Sequence, residues 1–335
     1  MKLLVLGGTA WLGRELARTA LEHGDDVTCL ARGDSGDMPS GVTAVHADRT
    51  APDGLDVVAG QEWDAVVDVT RQPGQARAAA HALAGGGAHL VFVSTVSVYA
   101  DNARRGADES SPLLDALDGD VLTEPADYGR AKVACERAVL DAVGPDRCLI
   151  ARPGLLAGPG DPTGRAGYWA ARFADPAGPG RTVLVPDAPG QPCQVLDVRD
   201  LARWLHASAR DRVAGTMDAV GEGVTLGEFL DVAHTVAGGV GRAVPAAPEW
   251  LRRNGVAQFS GPRSLPLWID DPAMAGFGDR PGAAARAAGL MTRPLVEILA
   301  DGLRWEQEQS ALPPRAAGLT AEDEHALLAA LVAVD

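Results

Sequence analysis

Short apolar runs alternate with alanine-rich stretches along the first half of the chain, and this spacing predicts a series of βαβ units. The predicted strands are Lys2–Leu6, Asp26–Leu30, Thr43–His46, Trp63–Val69, His89–Ser94 and Arg147–Ala151. The predicted helices, by length and propensity, are Trp11–His23, Pro73–Ala84 and Ala126–Val143. Strands in this alternation predict an α/β fold, a Rossmann-type doubly wound parallel sheet.

The regular alternation stops after Arg152-Pro153-Gly154, because Gly- and Pro-rich clusters at 158–162 and 175–180 predict loops. One further strand and one further helix follow, at Gln194–Val198 and Arg199–Ala209. Later helical patterns cover Leu226–Val236, Pro294–Glu306 and Leu319–Val334. The second half is therefore expected to leave the sheet.

The length of the chain favours two lobes. At 335 residues it exceeds the roughly 250–300 residues that one hydrophobic core usually serves. We expect residues 1–155 to form the Rossmann domain, with 191–212 returning to it. Residues 156–190 and 213–335 are expected to form a smaller C-terminal lobe over the carboxyl edge of the sheet.

Composition excludes several classes of function. A formal net charge of −15 disfavours nucleic-acid partners, which attract clustered Lys and Arg. The four cysteines are far apart and no histidine lies at metal-ligand spacing, so neither a metal site nor a disulfide framework is predicted. No stretch approaches the length of a membrane span and the first apolar run is too short for a signal peptide, which leads us to expect a cytoplasmic protein.

A glycine-rich loop lies between the first predicted strand and the first predicted helix. Its residues are Gly7, Gly8, Thr9, Ala10, Trp11, Leu12 and Gly13. Glycines there let the backbone turn tightly and approach a pyrophosphate, whose charge then meets the amino terminus of the helix. The loop therefore predicts a dinucleotide site.

Tyr128 and Lys132 are four residues apart in a predicted helix, so their side chains share one face. An adjacent ammonium lowers the pKa of a phenol from about 10 toward the working range, which makes the tyrosine a usable acid or base. The chain has only two lysines, Lys2 and Lys132, among 30 Lys and Arg residues. A lysine retained at this position in such a chain indicates a chemical role.

The glycine loop and the Tyr-Lys pair together resemble the extended short-chain dehydrogenase/reductase family, also called the NAD-dependent epimerase/dehydratase family. Gly7 and Gly13 match the outer glycines of the family's GxxGxxG fingerprint, and Ala10 takes the middle position. The run from Ser94 to Tyr99 resembles the S[ST]xxVYG motif, which implies that Thr95 is the catalytic hydroxyl and that Ser94 and Ser97 are secondary candidates.

Two later segments resemble family motifs in the expected order. Arg152–Gly160 resembles RPxxxxGPG, which implies that Pro153 and Gly154 line the nicotinamide pocket. Gln194–Ala202 resembles the later V-D-V-x-D-L-A turn. The resemblance covers roughly the first two thirds of the chain.

The end of the second strand bears on the choice of cofactor. NAD-preferring members of the family usually carry an acidic residue where this chain has Ala31, and the adjacent Arg32 offers a guanidinium for a 2′-phosphate. The resemblance also places Asp48 near the adenine and makes Arg49 a second phosphate partner. We therefore expect NADP(H) in the 1–155 domain, with NAD(H) as the alternative, and Lys132 on the nicotinamide ribose.

The motifs leave the reaction open between three functions. The 4,6-dehydratases of the family carry Asp-Glu after the catalytic Thr, and Val96 and Ser97 argue against that chemistry here. The family's diphosphate-binding arginine has no counterpart near Cys193, although Arg165, Arg172 or Arg181 could replace it. Four residues are candidates for substrate contact in the lobe and at the strand end: Ser97, Tyr99, Tyr168 and Trp169.

We favour an NADP(H)-dependent oxidoreductase that reduces a carbonyl, or oxidises a secondary alcohol, of a small or secondary-metabolite-like substrate with Tyr128 as general acid/base. The alternatives are an NAD(P)-dependent epimerase of a sugar or sugar nucleotide, and a non-catalytic NAD(P)-binding regulator or scaffold, because the glycine loop also resembles a branch that contains chloroplast RNA-binding proteins. A small molecule is the expected partner, neither nucleic acid nor membrane is, and the Ala126–Val143 helix suggests a homodimer.

Overall fold

The apolar runs of the first half form strands that are covered on both faces. Every residue from Leu3 to Leu6 is fully buried, as is typical of a strand in a parallel sheet. A computed structural model describes residues 1–309 and 315–332. The strands are β1 (Lys2–Leu6), β2 (Asp26–Ala31), β3 (Thr43–His46), β4 (Ala65–Asp68), β5 (His89–Val93), β6 (Cys148–Pro153), β7 (Leu156–Ala157), β8 (Thr182–Pro186), β9 (Pro192–Gln194), β10 (Leu196–Asp197), β11 (Gly215–Ala219), β12 (Gly223–Thr225), β13 (Arg242–Ala246), β14 (Ala257–Phe259), β15 (Gly261–Pro262), β16 (Ser264–Pro266) and β17 (Ala317–Gly318).

Helices connect the strands. They are α1 (Trp11–Glu22), α2 (Asp56–Ala59), α3 (Pro73–Leu83), α4 (Tyr128–Val143), α5 (Gly167–Ala174), α6 (Val198–Asp211), α7 (Leu226–Val236), α8 (Pro248–Arg253), α9 (Ala283–Ala287), α10 (Leu295–Glu308) and α11 (Ala321–Val332). Side-chain caps explain where some of them begin. Asp197 accepts from the Arg199 amide at the start of α6, and Thr225 and Glu228 form a capping box at the start of α7.

The main sheet has seven strands in the order β11-β6-β5-β4-β1-β2-β3, and all its pairings are parallel. Strands β2 and β3 extend the sheet on one side of β1, and β4, β5 and β6 extend it on the other, so the strand order reverses between β1 and β4. In such sheets a crevice opens at the carboxyl ends of the strands where the order reverses. The prediction of a Rossmann-type α/β fold is confirmed.

Three hydrophobic clusters cover the sheet and the second half of the chain. Residues of α1 and α6 pack on one sheet face, and residues of α3 and α4 on the other. A third cluster gathers α5, α7, α10 and α11 around Trp169, Phe173, Phe229 and Trp268. The division into two lobes remains a prediction, with one lobe formed by residues 1–155 and 191–212 and the other by 156–190 and 213–335. The structure corrects it at one strand.

That strand is β11, which the sequence analysis placed in the lobe and which the structure places in the main sheet beside β6. Its residues Gly215, Thr216 and Met217 are only half-buried, so the segment has no apolar run that signals a sheet strand. A second correction concerns Gln194–Val198, which divides into β9, paired with β12, and β10, paired with β7. Val198 belongs to α6, because Asp197 caps that helix.

The other predicted boundaries agree with the observed ones to within two residues. The predicted Leu319–Val334 helix is observed as α11, with residues 333–334 outside the described part of the chain. Within residues 1–309 and 315–332, no helix is long and apolar enough to cross a membrane, and no group of His, Cys, Asp and Glu could hold a metal ion. All four cysteines are buried thiols.

Candidate active site

The glycine loop is shaped by close contacts that a side chain would destroy. Gly7 has a φ of +103°, and a Cβ there would lie 2.5 Å from Val69 Cγ2. A Cβ at Gly8 would lie 2.5 Å from Cys29 Cβ, and one at Gly13 would lie 2.2 Å from the Gly7 oxygen. The loop therefore lies tightly against its neighbours and leaves backbone at the cavity wall, as a pyrophosphate site requires.

Ala10 takes the middle fingerprint position at no conformational cost. Its φ of −69° and ψ of 153° are an extended conformation that any L-residue adopts. The substitution therefore does not strain the loop.

Two cavities adjoin along the carboxyl edge of the sheet. One, of about 550 Å³, lies between the glycine loop and the end of β2. The other, of about 800 Å³, lies beside α4 and the end of β5. Both are bordered by Ala10, Trp11, Val69 and Arg71, so they form one continuous groove. Its length suits a dinucleotide at one end and a substrate at the other.

Most of the predicted cofactor residues lie on this groove: Gly7, Thr9, Ala10, Trp11, Leu12, Arg32, Arg49, Lys132, Pro153 and Gly154. Gly8 and Gly13 are buried behind the loop, where their role is to let the backbones approach. Trp11 adds a contact that no motif indicated, since its indole N–H donates to the Pro159 oxygen over 2.9 Å. The glycine loop is thereby joined to the 158–165 loop.

Thr95, Tyr128 and Lys132 all line the larger cavity. The four-residue spacing places the phenol and the ammonium on one face of α4, and Thr95 lies two residues after the end of β5. Lys132 is 2% exposed, and its Nζ donates to the Thr70 oxygen over 2.6 Å and to the Val93 oxygen over 2.5 Å. The strand ends thus fix the ammonium, and one of its three N–H donors remains for a ligand.

Burial shifts the pKa values of both α4 groups. It raises the pKa of Tyr128, while the Thr95 side chain and the charges of Arg71 and Arg165 act in the opposite direction. Burial lowers the pKa of Lys132 to about 8, against the attraction of the Asp68 carboxylate. The lowered phenol pKa that the sequence analysis expected from the adjacent ammonium is therefore not found, because burial outweighs the nearby charges. At neutral pH the pair consists of a protonated phenol and an ammonium.

Arg49 and Asp48 have partners within the protein. Arg49 forms a bidentate ion pair with Asp68, over 2.8 and 3.0 Å, and both side chains are buried. Asp48 is exposed and accepts from the amide and hydroxyl of Thr50. It does not itself line the groove, although Ala47 and Arg49 beside it do, so its adenine contact stays a prediction. Its hydrogen bonds to Thr50 hold the pKa of Asp48 below its ordinary value.

Arg32 lies at the open end of the smaller cavity, with its side chain 56% exposed and 3.1 Å from Asp34. An exposed ion pair of this kind is weak, about 0–1 kcal/mol, so the guanidinium can exchange it for a phosphate. Arg14, which the sequence analysis did not identify, lines the same cavity and donates to the Thr9 and Ser35 oxygens over 2.6 and 2.9 Å.

Three of the four predicted substrate residues are buried away from the groove. Tyr99 is 1% exposed, Tyr168 2% and Trp169 0%, and none of them lines either cavity. Trp169 instead donates to the Pro266 oxygen within the lobe core. These three residues were predicted to contact the substrate because they are aromatic. In the structure their large side chains are packed in the core instead. Ser97 does line the larger cavity, and its amide donates to Thr95 Oγ1 over 3.2 Å.

A buried ion pair between Glu136 and Arg152, which the sequence analysis did not predict, lies next to the site. Glu136, one turn after Lys132 on α4, accepts from Arg152 Nε over 2.9 Å and from Arg152 Nη2 over 2.7 Å. Its carboxylate also accepts from Ser94, whose residue lines the larger cavity. The regular spacing of Tyr128, Lys132 and Glu136 is the sequence signal that could have identified the pair.

The pair continues into a chain of buried hydrogen bonds. Arg152 Nη1 donates to the Tyr99 hydroxyl over 2.9 Å, and that hydroxyl donates to Asp218 over 2.6 Å. Arg280 donates to the other Asp218 oxygen over 3.1 Å. Strands β6 and β11 and the loops around 99 and 280 are thus joined beneath the larger cavity.

The rest of the wall of the larger cavity was missed from the sequence, apart from Arg165, which the sequence analysis named as a possible replacement for the diphosphate-binding arginine. It is formed by the segments 161–165, 259–260 and 277, with Asp161, Thr163, Arg165, Phe259, Ser260 and Phe277 on the cavity. These residues come from distant parts of the chain, so no local motif brings them together.

The chain is similar to several known proteins. A family model described as the NAD dependent epimerase/dehydratase family matches residues 73–220. A dTDP-4-dehydrorhamnose reductase of Streptomyces griseus is 33% identical over 227 residues, which cover 64% of this chain and 67% of the relative.

Two solved structures share the fold. The UDP-N-acetylglucosamine 4-epimerase of Bacillus cereus superposes with a TM-score of 0.65 at 15% identity, over 93% of this chain and 99% of that one. The UDP-glucose 4-epimerase of Thermus thermophilus in complex with NAD superposes with a TM-score of 0.63 at 20% identity, over 92% of this chain and 99% of that one.

Proposed function

The chain belongs to the NAD-dependent epimerase/dehydratase family, and we propose that it is an NADP(H)-dependent oxidoreductase that interconverts a carbonyl and a secondary alcohol of a small or secondary-metabolite-like substrate. One observation carries the proposal: Thr95, Tyr128 and Lys132 line a single cavity that is continuous with the cavity at the glycine loop. An acid, its tuning cation and a dinucleotide cradle along one groove are the parts that hydride chemistry needs.

Tyr128, Thr95 and Lys132 each have a separate role in carbonyl reduction. The cofactor supplies the hydride. Tyr128 donates its proton to the substrate oxygen, and the Thr95 hydroxyl hydrogen-bonds the same oxygen as negative charge develops on it. Lys132 keeps a positive charge next to the phenol and offers its third N–H to a ribose hydroxyl, since its other two are held by carbonyls.

Titration with NADPH and NADH tests the cofactor proposal. We expect NADPH to bind the wild-type protein more tightly, and Arg32→Ala to weaken NADPH by about 10–100-fold by removing charge-assisted hydrogen bonds to the 2′-phosphate. NADH affinity is expected to stay unchanged. Arg137→Ala, which removes an exposed charge from α4 away from the groove, is the matched control. Calorimetry or cofactor fluorescence gives the dissociation constants.

Two outcomes of this titration would count against the proposal. If neither nucleotide binds, the oxidoreductase proposal fails and the scaffold alternative is favoured. Equal effects of Arg32→Ala on NADPH and NADH would remove Arg32 as the 2′-phosphate partner, while leaving the dinucleotide site in place.

The pH profile should report on Lys132. Burial lowers its pKa to about 8, so the ammonium is present below that pH and lost above it. The raised pKa of Tyr128 keeps the phenol protonated over the same range. We therefore expect kcat/KM for carbonyl reduction to fall above about pH 8. Arginine stays charged in proteins, so the residual activity of Lys132→Arg should be flat from pH 7 to 10; an alkaline limb that persists in this variant would assign the titration to another group.

Epimerisation is the second candidate. The larger cavity, about 800 Å³ with Arg71 and Arg165 on its wall, has room for a charged substrate of the size of a sugar nucleotide. An epimerase reduces and reoxidises its cofactor within one cycle, so it consumes no net NADPH. Net oxidation of NADPH in a screen of carbonyl compounds would favour the reductase. Isomerisation of a UDP- or dTDP-sugar without net oxidation would favour the epimerase.

We also propose a homodimer through α4, which packs against α3 on one face of the sheet. The paired helices leave a shared outer surface that a second copy could cover. Light scattering at micromolar protein concentration measures the mass directly, and a mass of one chain would reject the dimer.

A further inference from the structure

We infer that the substrate carries a carboxylate or a phosphate, which Arg165 binds beside the Tyr128 hydroxyl with Arg71 as a second cation. The inference rests on the proposed function, because it names the class of substrate that this site accepts. It concerns the cavity wall opposite α4, which no sequence motif marked.

Arg165 is held in one orientation with its hydrogen-bonding end free. Its guanidinium lies over the Phe259 ring, 4.8 Å from the centroid, and its Nε donates to Thr163 Oγ1 over 3.3 Å. Within residues 1–309 and 315–332, its two terminal nitrogens make no hydrogen bond or ion pair. Two parallel N–H groups on a fixed plane match the oxygens of a carboxylate or phosphate.

The ring beneath the guanidinium is itself fixed at a conformational cost. Phe259 has a φ of +62°, in the left-handed region that L-residues rarely adopt. Its amide donates to the Trp268 oxygen over 2.9 Å, and its ring meets Phe277 edge-to-face with centroids 5.7 Å apart. Strained residues of this kind are retained at ligand sites more often than elsewhere.

The nearby carboxylate does not neutralise Arg165 by direct contact. Both oxygens of Asp161 accept from Thr163, from its amide over 2.8 Å and its hydroxyl over 3.0 Å. Burial lowers the pKa of Arg165, and the charge of Asp161 opposes that shift. The guanidinium is therefore a desolvated cation without an ion-pair partner in the described chain, and such a group binds anions favourably.

Arg71 brings a second cation to the same place. It follows β4, lines both cavities, and forms no hydrogen bond or ion pair with the rest of the described chain. Arg71 and Arg165 both lie on the cavity that Tyr128 lines, and the charges of both oppose the rise in the pKa of Tyr128 that burial causes. An anion held between them would lie close to the reacting carbonyl.

Binding of matched inert probes tests the inference. The protein is first saturated with NADP⁺ and then titrated by calorimetry with oxamate, with its neutral ester ethyl oxamate, and with inorganic pyrophosphate. Ethyl oxamate is the uncharged counterpart of oxamate, so comparing the two measures the effect of the negative charge. Pyrophosphate tells a phosphate site from a carboxylate site. The variants are Arg165→Gln, Arg165→Lys and the control Arg137→Gln, which makes the same change in net charge on the exposed face of α4.

We expect oxamate or pyrophosphate to bind the wild-type complex saturably and ethyl oxamate to bind at least tenfold more weakly. Arg165→Gln should weaken the bound anion by about 10–100-fold, the range for a charge-assisted pair of hydrogen bonds. Arg165→Lys should lose part of that affinity, since it keeps the charge and removes the planar fork. Arg137→Gln should bind as the wild type does.

The inference is overturned if neither anion binds the NADP⁺ complex, or if Arg165→Gln and Arg137→Gln bind it equally well. Because cofactor saturation is measured first, a protein that binds no NADP⁺ contradicts the proposed function instead. Unchanged NADP⁺ affinity in Arg165→Gln shows that the variant is folded.

Discussion

The Tyr128→Phe variant is expected to lose a factor of about 10²–10⁴ in kcat, the contribution of a positioned general acid, and to bind NADPH as tightly as the wild type. The substitution removes one oxygen from the wall of the larger cavity and leaves the ring in place. Lys132 keeps its position, because its ammonium is held by the Thr70 and Val93 carbonyls and not by the phenol. The loss should therefore fall on the chemical step alone.

Single-turnover oxidation of bound NADPH by a carbonyl substrate from the screen measures that step directly. Tyr168→Phe is the matched control, because the Tyr168 hydroxyl is buried in the lobe with no hydrogen-bond partner among the described residues. Its activity should equal that of the wild type. Retention of more than a tenth of wild-type kcat by Tyr128→Phe would mean that another group supplies the proton.

The Glu136→Gln variant is expected to lower the free energy of unfolding by about 3–5 kcal/mol, the cost of leaving a buried ion without its partner. Both side chains of the Glu136–Arg152 pair are nearly inaccessible, at 3% and 6%. The neutral amide would leave the Arg152 guanidinium buried without a counter-ion and would disturb the hydrogen bonds to Ser94 and Tyr99.

Urea unfolding followed by circular dichroism, with no cofactor present, measures this cost. Glu15→Gln is the control, because in the Glu15–Arg18 pair on α1 Arg18 is exposed and Glu15 only half-buried, and ion pairs at the surface contribute about 0–1 kcal/mol. A loss below about 1 kcal/mol for Glu136→Gln would show that water or relaxation compensates the guanidinium, against the expectation for a buried ion pair.

The parts of the site that follow from local sequence were predicted well. The glycine loop lies between one strand and the next helix, so its place depends on a single βα turn, and the spacing of Tyr128 and Lys132 depends only on helical periodicity. Thr95 follows a strand whose run of apolar residues is unambiguous. Thr95, Tyr128 and Lys132 lie on the groove together with the glycine loop, except for Gly8 and Gly13, which are buried behind it.

The parts that depend on distant contacts could not be predicted. Arg165 was one of three arginines that the sequence offered as an anion partner, and its contact with Phe259, which joins distant parts of the chain, is what singles it out. Tyr99 and Trp169 were predicted to contact the substrate because they are aromatic. Both side chains are instead buried in the core, where their apolar surface is removed from water. Strand β11 was missed because its first three residues are only half-buried, so its sequence has no apolar run that marks a sheet strand.

The two ways in which the side chains of α4 are held imply different tolerance to mutation. Lys132 is anchored by the backbone carbonyls of Thr70 and Val93, so a substitution at either position leaves the anchoring group itself in place as long as the strand ends keep their positions. Glu136 is anchored by Arg152, and through it by Tyr99 and Asp218, all of them side chains. Evolutionary change there is epistatic: each substitution is costly alone and is accommodated only when its partners change with it.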